Sequence, residues 1–145
     1  MAWMYVQSTG KMYRPNGQWF HNAWSGRGEH LNNSASQCIK NEGPIPRGDW
    51  TMTTLYNTGP ENDPRAGNPM PITRNNRGIN NKRFIIKLMP QASVNVCNRD
   101  GFLIHGGGIN ASQGCIIVDG ALIRKQIWDS GDHELRVVEI LEITP

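Results

Sequence analysis

The stretch Phe102-Leu-Ile-His105-Gly-Gly-Gly-Ile-Asn-Ala-Ser112-Gln-Gly114-Cys115-Ile-Ile-Val118 constrains this chain more than any other. Two short apolar runs flank a loop crowded with glycine. Runs of this length, bounded by turn residues, predict buried strands over residues 101–105 and 115–118. The loop has to carry the chain from the end of one strand to the start of the next. A histidine stands at the first strand end and a cysteine at the second, ten positions later. An imidazole base and a thiol nucleophile are the minimum apparatus of cysteine acyl transfer, and the glycines leave room for a substrate main chain.

The rest of the chain is cut into equally short pieces. Its 16 glycines and 9 prolines are spread over 145 residues, which favours many short elements joined by turns over long helices. Residues 1–7 and 11–13 flank Ser8-Thr-Gly10 and predict a hairpin. A third strand is expected over residues 18–24, a polar loop over 25–37 and a strand over 50–56. Residues 57–81, rich in Asn, Gly, Pro and Arg, read as a long loop. A strand follows over 83–89, with Phe84, Ile86 and Leu88 on one face. Asp119 is the expected N-cap of a helix over 120–128 that lays Ile123, Ile127 and Trp128 on one side and ends at Gly131. Residues 135–143 predict a final strand. The expected fold is a single domain over residues 1–145, mainly β, with one or two short helices.

Composition excludes several functions. The formal net charge is +3 and the basic residues are scattered, adjacent only at Lys82-Arg83 and Arg124-Lys125, too sparse for a nucleic-acid stripe. No apolar run approaches the roughly 18 residues of a membrane span. The first residues, Met1-Ala-Trp-Met-Tyr-Val-Gln7, lack the basic and apolar regions of a secretory signal. Of three cysteines, Cys115 has the reactive setting. Cys38 and Cys97 stand as either a disulfide or two separate buried thiols. No Cys-x-x-Cys pair is present, so a structural zinc site is not expected; the acyl-transfer reading calls for no cofactor.

Each candidate residue has a chemical role. His105 takes the thiol proton and needs an acceptor to orient its ring: a main-chain carbonyl, or, less economically, Asp100 or Asn110. Gly114 lets main-chain N–H groups turn toward an oxyanion at Cys115. Gly106 opens the loop after His105. Ser112 either joins the oxyanion site or shapes the turn. Arg124, on the helix after the nucleophile, is a candidate for bidentate binding of a substrate carboxylate, the alternative being a solvated helix residue. His21, His30 and His133 read as structural or exposed, and Trp19, Phe20 and Trp24 as core.

His105-Gly…Ser112-x-Gly114-Cys115 resembles the signature of L,D-transpeptidase catalytic domains. Upstream, Trp24-Ser-Gly26…Gly28-Glu29…Asn32-Asn33 and Gly43-Pro-Ile-Pro46-Arg-Gly48 resemble a compact branch of that superfamily, which includes type VI secretion effectors with L,D-transpeptidase and L,D-carboxypeptidase activity. The resemblance implies an L,D-transpeptidase-like β-sandwich and a peptidoglycan tetrapeptide stem as substrate. Cys115 would attack the carbonyl between diaminopimelate and D-alanine, with His105 as base. It also implies an antibacterial toxin, secreted without a signal peptide, monomeric, acting in the periplasm of a target bacterium and blocked by a cognate immunity protein. The sequence departs from the larger members at Ile117, where they carry an arginine. Substrate carboxylate binding then falls to Arg124 or Arg99. A Cys–His peptidase and a non-catalytic wall-binding module are the competing expectations.

Overall fold

The structure, a computed structural model, describes residues 1–57, 83–107 and 114–141. The chain is mainly β, with one α-helix. In chain order the strands are β1 (Trp3–Val6), β2 (Lys11–Tyr13), β3 (Trp19–Asn22), β4 (Trp24–Ser25), β5 (Gly48–Tyr56), β6 (Ile85–Pro90), β7 (Leu103–His105), β8 (Ile116–Ile117) and β9 (Glu134–Val138). The helix α1 (Ala121–Asp129) lies between β8 and β9, and two single 3-10 turns, Gly28–His30 and Ser34–Ser36, follow β4. The expected sandwich takes the form of one continuous sheet, ordered β3-β2-β1-β9-β5-β6-β7-β8-β4 and nearly closed into a barrel.

The closure has a local cause. The aromatic segment at 18–24, expected as one strand, is two. β3 and β4 are separated by Ala23 alone, yet they lie at opposite ends of the strand order. One residue spans only about 3.5 Å, so the two edges of the sheet must come together there. Gly10 makes the seam tight enough. Its carbonyl accepts from the Ala23 N–H at 2.8 Å, its φ is +76°, and a Cβ on it would fall 2.1 Å from the Ala23 carbonyl oxygen.

Inside the curled sheet lies a core built by period-two alternation. Trp3 and Tyr5 of β1, Trp50 and Met52 of β5, Ile86 and Leu88 of β6, and Leu135 and Val137 of β9 all belong to it. Ile104 and Ile116 extend it into the short pair β7/β8. Ile127 of α1 is buried in the same cluster, with Ile123 and Trp128 packed against it as the sequence predicts. Trp3 and Phe20 meet edge to face at 5.0 Å, whereas Trp19, expected in the core, is 54% exposed.

Two boundaries differ from expectation. The helix is capped by Gly120 at φ +91° with no side-chain hydrogen bond, not by Asp119. Asp119 is engaged elsewhere, its Oδ1 accepting from the Gly107 N–H at 3.4 Å. The last strand ends at Val138, short of the predicted 143. Cys38 and Cys97 form a disulfide across 59 positions, a closure that removes about 4 kcal/mol of conformational freedom from the unfolded chain. The 57–81 loop falls almost wholly outside the described residues, as do Ser112 and Asn110.

The seam yields a prediction. Gly10→Ala sets a Cβ against main chain at a left-handed φ, and should lower unfolding free energy by more than about 2 kcal/mol in urea denaturation. An unchanged midpoint would mean that the seam is loose.

Candidate active site

β7 and β8 run parallel, with Ile104 opposite Ile116 and His105 opposite Ile117. Successive side chains in a strand point to opposite faces. Ile104 and Ile116 take the core face, so His105 and Ile117 take the other. Cys115, one step before β8, shares that second face and stands beside Leu103. With strands about 4.8 Å apart and a rise of about 3.3 Å per residue, the Cα atoms of His105 and Cys115 are roughly 8 Å apart on one diagonal. The register thus leaves imidazole and thiol on the same face of the β7/β8 pair.

His105 is buried and its Nδ1 lies 2.6 Å from the Gly106 carbonyl oxygen. A carbonyl only accepts, so the proton sits on Nδ1 and the lone pair on Nε2. The orienting acceptor is the main-chain carbonyl that the sequence favoured, and Gly106 supplies it. Burial depresses the imidazole pKa most. The Gly106 bond raises it and the nearby Arg124 cation lowers it again, leaving it below the ordinary histidine value.

Cys115 is also buried, its Sγ 3.6 Å from the Gly101 carbonyl oxygen. Burial pushes its pKa up to about 11, against the opposing pull of a main-chain hydrogen bond from Leu103 and of the Arg99 cation. In the resting site thiol and imidazole are therefore both neutral. For this thiol to act as a nucleophile it would have to lose its proton during attack, to an imidazole whose Nε2 lone pair can accept it.

A second structural unit surrounds the cysteine. In Gly43-Pro-Ile-Pro46, two residues lack an N–H, so the segment cannot join a strand ladder. Its carbonyls find side chains instead. Arg99 donates to Gly43 O and Pro44 O, each at 2.8 Å. Gln7 Nε2 donates to Ile45 O at 2.8 Å, and Trp50 Nε1 to Pro46 O at 3.0 Å. The Ile45 N–H donates to Ser25 Oγ at 2.9 Å, and that hydroxyl donates to the Cys115 carbonyl at 2.8 Å. Ser25 is thus a one-residue bridge from the proline turn to Cys115. The signal for it was present in Trp24-Ser25-Gly26, but only the pairing of β4 with β8 gives it meaning.

The arginines correct the sequence reading. Arg124 neither solvates the helix nor faces a substrate. It is 1% exposed, and Nε, Nη1 and Nη2 donate to Phe84 O, Val118 O and Arg83 O at 2.8–3.0 Å. Burial lowers its pKa to about 10, so it stays a cation. Arg99 is likewise buried and donates to three carbonyls, Gln37, Gly43 and Pro44. Neither guanidinium has the exposure that a carboxylate-binding fork needs. The remaining histidines are engaged locally: His21 Nδ1 with Asn22 O at 2.7 Å, His30 with Ser36 Oγ at 2.7 Å, and His133 stacked on Trp128 at 3.8 Å.

Residues 19–142 match the Tlde1 domain. The chain belongs to the Tlde1 family. This is a type VI secretion effector family, so a secreted effector role follows from membership. No curated protein matches the sequence closely. The matched span takes in every element from β3 to β9, including the two strands of the candidate site and the proline turn, and leaves out β1 and β2. β1 nonetheless pairs with β9 over four residues, inside the same sheet. No helix among the described residues is long and apolar enough to cross a membrane.

Two tests follow. Ser25→Ala leaves the buried Ile45 N–H without an acceptor and should lower stability by about 1–3 kcal/mol; an unchanged urea midpoint would remove the bridge. The second concerns pH. His105 is depressed in the folded state, so the unfolded chain binds more protons between the two pKa values. The stability contribution is complete above about pH 6.5 and falls as pH drops below it. His105→Gln should flatten that acid limb, measured as unfolding free energy against pH, and an identical limb in the variant would contradict the assignment.

Proposed function

We propose that this Tlde1 domain is a cysteine acyl-transfer enzyme acting on peptidoglycan stem peptides, and that it serves as an antibacterial toxin. The observation that carries the reading is the β7/β8 register, which sets a neutral imidazole with a free Nε2 and a thiol on one face. The effector family supports the toxin role and suits an immunity protein as partner. The L,D-transpeptidase-like motifs supply the substrate.

Cys115 Sγ attacks the carbonyl that joins diaminopimelate to the terminal D-alanine. His105 Nε2 takes the thiol proton as the S–C bond forms, and the imidazolium returns it to the departing amine. D-alanine leaves and a thioester remains on Cys115. Water then releases the tripeptide, which is L,D-carboxypeptidase activity. Attack by a D-amino acid amine exchanges the terminal residue, and attack by a second stem forms a crosslink. Forming a free thiolate first at pH 7 from a pKa of about 11 would cost about 5 kcal/mol, so proton transfer coupled to attack is the lower route. Such chemistry places the site of action in the periplasm of the target cell, where stem peptides are exposed.

The test is mass spectrometry of tetrapeptide muropeptides incubated with the purified protein, with and without a D-amino acid. Loss of D-alanine or a swapped terminal residue is expected. Cys115→Ala should abolish both, and His105→Gln should lower kcat about 10²–10⁴-fold. Product formed by Cys115→Ala would sink the mechanism. Cleavage of ordinary peptides but not stems would favour a Cys–His peptidase, and binding to wall polymer without product would favour a wall-binding module.

A further inference from the structure

Arg99 is a buried cation whose partners map out an unusual position. Its guanidinium donates to carbonyls of Gln37, Gly43 and Pro44, all in the segment that carries Cys38. Its ring neighbour is Phe102, with the guanidinium carbon 5.4 Å from the ring centroid. On another side it touches the nucleophile's own strand entry. Gly114 has φ +108°, and a Cβ there would come 2.2 Å from Arg99 Nη2, so the main chain before Cys115 rests directly on the guanidinium.

The same two segments are tied a second time. Cys97 stands two residues before Arg99, and its disulfide partner Cys38 adjoins Gln37, whose carbonyl Arg99 holds. Between them the backbone is forced. Cys97 and Asn98 have φ of +55° and +57°, a left-handed conformation that disfavours non-glycine residues by about 1–2 kcal/mol each. Such a turn persists only when its surroundings hold it, and the disulfide is the covalent part of that hold.

We infer that Arg99 is a positioning residue for Cys115, seated against Gly114 by the Cys38–Cys97 disulfide, so that the nucleophile depends on a bond lying outside the catalytic pair. The inference rests on Cys115 being the nucleophile. A planar fork is needed to serve three carbonyls while the positive charge stays beside the thiol, which lysine can match in charge but not in shape. The Arg99 cation is also one of the influences that hold the Cys115 thiol down against burial. Opening the disulfide is a two-electron reduction. A dithiol gives up two electrons and two protons, Cys38 and Cys97 become thiols, and the reductant closes to its own disulfide. A protein of this design is fully assembled only in an oxidising compartment.

The experiment reads the thiol and not turnover, so it separates this inference from the substrate assignment. Iodoacetamide alkylation of Cys115, quantified on its peptide by mass spectrometry, is followed from about pH 7 to pH 10. Arg99→Gln should slow alkylation at a given pH about tenfold, one pKa unit being tenfold in thiolate, and Arg99→Lys should recover part of the loss. In a Cys38→Ser/Cys97→Ser background the effect of Arg99→Gln should shrink markedly, because the cation is no longer seated. Wild-type protein folded, reduced and freed of reductant supplies the same comparison should the serine variant not fold. Alkylation in Arg99→Gln equal to wild type at every pH overturns the positioning role. An undiminished Arg99→Gln effect without the disulfide overturns the coupling.

Discussion

A single residue between β3 and β4 governs the rest of this structure. Ala23 joins two strands that sit at opposite ends of a nine-stranded order. The sheet must curl until its edges meet, and the meeting point is stitched by Gly10. Closure is what lays β4 against β8 and thereby brings Ser25 to the carbonyl of Cys115. Without the curl, the two halves of the functional pattern would lie on separate edges.

Around the cysteine, polar main chain is buried in quantity and satisfied by side chains. The proline turn cannot pair as a strand, so Arg99, Gln7, Trp50 and Ser25 complete it. Arg124 does the same for the ends of the segments leading into β6 and out of β8. Two guanidinium groups thus act as multi-pronged donors to carbonyls. Charge-assisted bonds of this kind are strong, and a buried carbonyl left without one is expensive. Both cations also act on the candidate pair: Arg124 helps keep His105 neutral, and Arg99 acts against the burial that raises the Cys115 thiol.

Under the proposed function, a resting site with both groups neutral suits an effector whose thiol must survive transit before it meets substrate. A thiol is a poor nucleophile and resists adventitious oxidation, whereas a standing thiolate does not. In the proposed chemistry the proton leaves sulfur only as the acyl carbon is engaged.

Residue pattern alone marked most local elements and singled out His105 and Cys115 as a candidate pair. Alternation marked the strands of the core, Gly and Pro marked the turns, and the helix showed its Ile123, Ile127 and Trp128 side. His105 and Cys115 stood out as candidates because residue types capable of thiol chemistry lay at strand ends beside glycines. Tertiary structure decided what local pattern cannot encode. Whether residues 18–24 form one strand or two depends on where the sheet closes. Asp119 lost the cap position to Gly120 because its carboxylate is used by Gly107. Arg99 and Arg124 read as candidate carboxylate binders, since an arginine's burial depends on carbonyls up to 62 positions distant. Ser25 gained its role from a strand pairing 90 residues apart. Long-range hydrogen-bond demand leaves no periodic trace in a sequence, and it was that demand which turned two strand ends into a site.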